Sequence, residues 1–220
     1  MTATPPHRNS STDSYPWWAL IGPALAAVIG MFMLTMLFFG TTPVAPVQIS
    51  LGLSRQEFLT NGIASYLLAA VLALPLGILL GTRSVSAAVL PGVFLMLLGV
   101  LVNAFVSGAF MLLAGRLLSG LGAGAVIGVT VGLVRKIEGR RGIAAVTVAV
   151  LGVVALIVAP FVNQAIAGGL GFRWMFLTAV PFLLVALFVN AVSGIARFTM
   201  RKRRPAGPPP APAPAPPPPR

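Results

Sequence analysis

AFMLLAGRLLSGLGAGAVIGVTVGLV, residues 109–134, carries a single charged side chain, Arg116. A bilayer hydrocarbon core about 30 Å thick needs roughly 20 apolar helical residues per crossing, so the run is long enough to span it. Inside it Gly120, Gly124, Gly128 and Gly132 recur at every fourth position, beside Gly115, Ser119, Gly122 and Ala123. Small residues at this interval let a neighbouring backbone come close. Four residues overshoot a 3.6-residue turn by about 40°, so the row winds around the helix as a curved seam. Packing against another helix is the expected role of Gly120, Gly124 and Gly128; close approach of a ligand to bare backbone is the alternative.

The rest of the chain has the same character. Of 220 residues, 57% are hydrophobic and 8% charged, too little polar surface to cover a water-soluble core. Apolar runs extend from Trp17 to about Gly40, Asn61 to Gly81, Ser86 to Val106, Ala109 to Val134, Ile143 to Ala167 and Trp174 to Ala196. The fold class is thus an all-α membrane protein with six transmembrane helices. Trp17, Trp18 and Trp174 stand at the ends of spans, where amphipathic rings settle at the headgroup level. Residues 1–16 read as a polar leader, 17–196 as the six-helix domain, and 197–220 as a basic, Pro-rich, disordered tail. The first run is longer than a signal-peptide core and is expected to stay in the mature protein. The stretch from Thr41 to Thr60, with Pro43, Pro46, Arg55 and Glu57, reads as the first external loop.

Orientation follows from the cationic loops. Arg8, Arg83, Arg135, Lys136, Arg140, Arg141, Arg197, Arg201, Lys202, Arg203 and Arg204 fall on the face shared by both ends, against Arg55 and Arg173 on the other. Lysine and arginine resist translocation, so both termini are placed in the cytoplasm and the protein in the plasma membrane. The formal charge of +12 is therefore topological, and no nucleic-acid partner is implied.

Chemistry has few places to sit. There is no cysteine, the one histidine is His7 in the leader, and Asp13, Glu57 and Glu138 lie far apart in polar segments. Paired acids, a metal site and a phosphate loop are all missing from the pattern, so no enzyme activity, cofactor or metal is expected. Arg116 is the one ionisable residue within a span. Burying it costs about 2.5–3.5 kcal/mol on insertion scales, which makes it the leading candidate for substrate binding or coupling. It lies about seven residues, or roughly 10 Å, into its helix. The alternative is an arginine satisfied by carbonyls and headgroups near the outer surface. Asn103, Asn163 and Gln164 are further candidates for a polar site, and Asn190, Thr35, Ser65 and Thr130 add amide and hydroxyl groups.

Several segments resemble the amino-terminal half of major-facilitator transporters, in particular the drug:proton antiporter branch. Val44 to Ser54, with Pro46, is similar to the family's end of helix 1 and the loop beyond it. Gly115-Arg116-Leu117-Leu118-Ser119-Gly120-Leu121-Gly122-Ala123-Gly124 is close to its helix 4 pattern. Ala159-Pro160 stands where antiporters have Gly-Pro, and Phe172-Arg173-Trp174-Met175-Phe176 with Pro181 resembles their approach to helix 6. The family's gate-loop signature, G-x-L-x-D-R-x-G-R-R, would begin at Gly77. Gly77 and Leu79 match, Gly81 replaces the Asp, Arg83 comes one place late and the closing basic pair is missing. The acid often found in helix 1 of that branch would fall at Leu37 or Phe38.

The resemblance implies a half of a major-facilitator fold, since a whole facilitator joins two six-helix halves around a midplane site. It implies transport of a small-molecule solute with a role for Arg116 in coupling, and as partner a second half or another copy in a homo-oligomer. The other reading is a non-transporting interaction subunit packed against a larger membrane complex. The incomplete gate signature and missing acid favour the second, while the family-level resemblance favours transport, which is the reading adopted with the interaction subunit as its alternative.

Overall fold

The computed structural model describes residues 20–37, 46–83, 85–136 and 141–202. Its regular elements are α1 (Ile21–Leu34), α2 (Pro46–Ser50), α3 (Arg55–Phe58), a π-helical stretch (Leu59–Ala64), α4 (Ser65–Arg83), α5 (Val85–Ala104), α6 (Ala109–Val134), α7 (Arg141–Leu170), α8 (Phe172–Leu177) and α9 (Ala179–Lys202). Five segments are long and apolar enough to cross a membrane: Arg55–Gly81, Ala87–Ala104, Ala109–Val134, Gly142–Leu170 and Phe172–Ala196. The described part of the first expected span is the shorter apolar helix α1. The leader, Trp17, Trp18, residues 38–45 and the tail beyond Lys202 lie outside the described residues, as do the side chains of Arg83, Arg141 and residues 197–202.

Three boundaries differ from the sequence reading, each for a local reason. The second span begins at Arg55 rather than Asn61. Ser54 and Glu57 form a capping box: the Ser54 hydroxyl accepts from the Glu57 N–H, and the Glu57 carboxylate accepts from the Ser54 N–H at 2.9 Å. The presumed loop from Thr41 to Thr60 therefore contains α2 and the start of a long helix, with Gly52 (φ 62°) making the turn between them. The second span, read to Gly81, continues as helix to Arg83, so the gate-loop signature beginning at Gly77 lies on α4 rather than in a loop. Gly77 and Gly81 sit against Ala125 and Val129 of α6, so packing overrides their weak helical preference. The last span is broken. Pro181 has no N–H to offer the Leu177 carbonyl, and the chain turns at Thr178, whose hydroxyl donates to the Met175 carbonyl at 2.8 Å.

The bundle is arranged around α6, the most enclosed of the spans. A methyl added at Gly120, Gly124 or Gly128 would overlap the carbonyl oxygen of Tyr66, Ala70 or Leu74 on α4. Both sets step by four, so α4 and α6 run parallel with backbones in direct contact. On another face Gly115, Ser119 and Gly122 meet Asn103, Gly99 and Gly92 of α5, running the opposite way. Gly30 brings α1 onto a third face at Ala123. Three helices thus close on α6 through positions with little or no side chain.

Helix α7 is held more lightly. Pro160 cannot donate to the Leu156 carbonyl, and Thr35 of α1 donates to that oxygen at 3.1 Å instead. Gly152 receives the Met31 side chain. Beyond these points most of α7 is uncovered: Ile143, Val150, Ile157 and Phe161 are among its exposed apolar residues. Gly171, at φ 92°, allows the reversal into α8. Leu68, Leu72, Leu76 and Leu79 form a comparable exposed row on α4.

Gly124→Val is expected to lower resistance to unfolding in mild detergent, read by circular dichroism on heating, by an overpacking cost of about 1–3 kcal/mol. Gly168→Ala, at a position with open space around it, is expected not to lower it.

Candidate functional site

Arg116 is fully buried. Its Nε donates to the Gly62 carbonyl at 2.6 Å, its Nη1 to Met33 at 3.0 Å and its Nη2 to Leu34 at 3.4 Å. The guanidinium carbon lies 4.2 Å from the centre of the Tyr66 ring. The Tyr66 hydroxyl in turn donates to the Gly30 carbonyl at 2.6 Å. One side chain from α6 therefore ties together α1, the π-helical stretch and α4.

Each partner exists because of how its element ends or widens. Met33 and Leu34 lie in the last turn of α1, whose carbonyls have no acceptor role left within the helix. They form the negative end of that helix's dipole, where a cation is favoured by about 0.3–1 kcal/mol and more when partly buried. Thr35, the residue after α1, is already turning away, so the carbonyl ends are open to Arg116. The π-helical stretch supplies the third acceptor. There the Ser65 N–H bonds five residues back, to Thr60, and the Ser65 hydroxyl takes the Asn61 carbonyl, leaving Gly62 directed toward Arg116. A side chain at Gly62 would press on Leu37, 2.9 Å from its Cδ1.

Electrically the cage is incomplete. Carbonyl dipoles and a ring face solvate a cation without neutralising it. No carboxylate pairs with Arg116 among the described residues; Glu57 is engaged in its capping box. Three of the five N–H donors of the guanidinium have partners among the described residues. The arrangement is a buried positive charge with two N–H donors that have no partner among the described residues.

The remaining polar candidates do not converge on this point. Asn103 is fully buried against Gly115, at the α5 face of α6, and neither its oxygen nor its nitrogen has a hydrogen-bond partner among the described residues. Gly115 and Arg116 point about 100° apart on the helix, so Asn103 and the guanidinium occupy different sides of α6. Asn163 of α7 is likewise buried with its amide unpartnered, whereas Gln164 beside it is exposed. Asn190 is satisfied within α9 by the Ala186 carbonyl at 2.7 Å and fills the space over Gly22. Gly120, Gly124, Gly128 and Gly77 lie in the α4–α6 contact, and Arg83 contributes only its helical backbone to the description.

Tyr66 and the carbonyls of Met33, Leu34 and Gly62 complete the Arg116 site and were not singled out from sequence. Tyr66 had a signal, as the one tyrosine inside a span. The carbonyls had none, since every residue has one. Among known families, the model of the Major Facilitator Superfamily matches residues 24–220. No curated protein matches the chain.

Tyr66→Phe keeps the ring beneath the guanidinium and removes only the bond to Gly30, with an expected loss of about 1 kcal/mol. Tyr66→Leu removes the ring as well and is expected to cost a further 0.5–2 kcal/mol or so. A double-mutant cycle of Tyr66→Leu with Arg116→Met, which removes the charge, read by unfolding in detergent, isolates the second quantity; no coupling would mean that ring and cation are merely neighbours.

Proposed function

The chain belongs to the major facilitator superfamily, and from that premise we propose that its six-helix body works with a second such body to move a small, anionic or acid-bearing solute across the plasma membrane. It is a multi-pass membrane protein of a transporter family, and that much follows from the family and the apolar helices. The finer reading adds a shared site between two bodies, the drug:proton antiporter branch as nearest in kind, and both termini on the cytoplasmic side. A second copy or a separate six-helix body is the partner.

One observation carries the proposal: Arg116 is a completely buried cation with no counter-charge among the described residues. Such a charge is costly in a membrane interior and is retained where it has work to do. Its attraction for an anion inside a low-dielectric bundle is far stronger than in water. Binding an acidic group would draw the guanidinium away from the Met33, Leu34 and Gly62 carbonyls. Those acceptors hold α1 and the π-helical stretch to α6, so exchange of partners would loosen the same contacts that close this end of the bundle. The exposed apolar rows on α4 and α7 supply faces on which the second body can rest.

A second reading rests on the same geometry. A guanidinium already met by three carbonyls and a ring can be a fastener, in a subunit that does not transport. Flux separates the two. In vesicles loaded with a panel of labelled organic anions and cations, the transporter reading expects anion flux that Arg116→Ala abolishes. Arg116→Lys should retain at most a small fraction, because one ammonium cannot reproduce the planar fork. Absence of flux under solute and proton gradients, with a stable complex of larger mass, would replace transport by the fastener.

A further inference from the structure

Helices α1 and α7 touch near the end that carries the α5–α6 turn and part toward the other. Thr35 bonds the Leu156 carbonyl, and Met31 presses onto Gly152. From there toward Arg141 a gap opens. On one side of it lies a cavity of ≈ 550 Å³ between α1 and α7, bordered by Ile21, Leu25, Val28, Thr147 and Leu151. On the other side a cavity of ≈ 320 Å³ extends to α6, bordered by Met31, Thr130, Val134 and Arg135. Val148 borders both.

The walls decide what can fill this space. Water in a cavity needs two to four polar partners. Among the described residues Thr147 is the only polar side chain around the larger cavity, and the Thr130 hydroxyl beside the smaller one already donates to the Val126 carbonyl at 2.9 Å. An unfilled gap would forfeit the dispersion contacts of every wall atom. Hydrocarbon suits both requirements, and in a bilayer it is at hand as acyl chain.

The mouth adds a charge. Arg135, at the end of α6, borders the smaller cavity and is exposed. Lys136, Arg140 and Arg141 follow within the next six positions, with Glu138 the one acid among them. An apolar trough with Arg135 at its mouth fits an amphiphile with a negative head. We propose that the α1–α6–α7 groove binds an anionic glycerophospholipid, one acyl chain lying over Val148 and the phosphate on Arg135. This site is distinct from Arg116, which lies 19 residues back along α6, roughly 28 Å at about 1.5 Å per residue.

The test is native mass spectrometry of the full chain in mild detergent, titrated with phosphatidylglycerol and phosphatidylcholine of identical acyl chains. Phosphatidylglycerol is expected to be retained preferentially. Arg135→Gln should reduce that preference about fivefold, the gain a basic side chain has near an anionic surface, by lowering retention of phosphatidylglycerol more than that of phosphatidylcholine. Thr147→Phe at the larger cavity and, separately, Ala149→Leu, a residue that borders the smaller one, should lower retention of both lipids by filling the trough, and Arg173→Gln at the opposite end should change neither. Equal retention of the two lipids overturns the proposal, as does a loss in Arg173→Gln as large as in Arg135→Gln. Unchanged retention in folded Thr147→Phe and Ala149→Leu overturns the placement of the acyl chain. If a groove variant fails to fold, the Arg135→Gln comparison still decides the headgroup. Solute flux plays no part in these readouts, so their outcome is independent of whether the protein transports.

Discussion

A guanidinium enclosed in an apolar bundle has to find acceptors, and that requirement organises one end of this molecule. Arg116 reaches them only because α1 stops at Leu34 and because the chain ahead of α4 widens into a π-helical stretch. Neither feature is a sequence preference in isolation. A helix end and a distorted turn both leave carbonyls outside the ordinary ladder, and here three of them face one cation. The Tyr66 ring fills the side that carbonyls leave open. Polar satisfaction therefore fixes where α1 ends relative to α4 and α6, with a demand for geometry that apolar packing alone does not make.

The other organising constraint is steric. In lipid there is little hydrophobic force between helices, so association depends on how closely backbones approach. α6 meets that condition on several faces: glycines against the α4 carbonyls, Ser119 and Gly122 against α5, and Ala123 against Gly30 of α1. Because α6 also carries Arg116, the steric seam and the polar cage share one helix. Movement of α1 or of the π-helical stretch is felt at the guanidinium, while the glycine contacts keep α4 in register. This gives the bundle a firm core around α4, α5 and α6 and a lighter attachment of α7, held to α1 by Thr35, Leu156 and Met31.

That difference in attachment gives each face its character. Where α1 and α7 meet through the carbonyl freed by Pro160, they pack; where they part, the space is apolar and has a cation at its mouth. Asn103 and Asn163 stand apart from both places as buried amides without partners among the described residues. Unsatisfied amides are expensive to bury.

The sequence by itself determined the solvent, the class of fold and the special standing of Arg116, because each follows from local content: long uncharged runs, small residues every fourth place, and one ionisable group among apolar ones. It also carried the Ser54–Glu57 capping signature, which starts the second span inside the stretch that the prolines at 43 and 46 mark as loop. It did not determine what Arg116 touches, that the last span breaks at Thr178, or that α1 and α7 diverge. Those outcomes depend on where backbone carbonyls end up and on how closely two helices approach. Every residue has the same carbonyl, so no letter of the sequence marks the ones at Met33, Leu34 and Gly62; only the tertiary packing brings them together around a single charge.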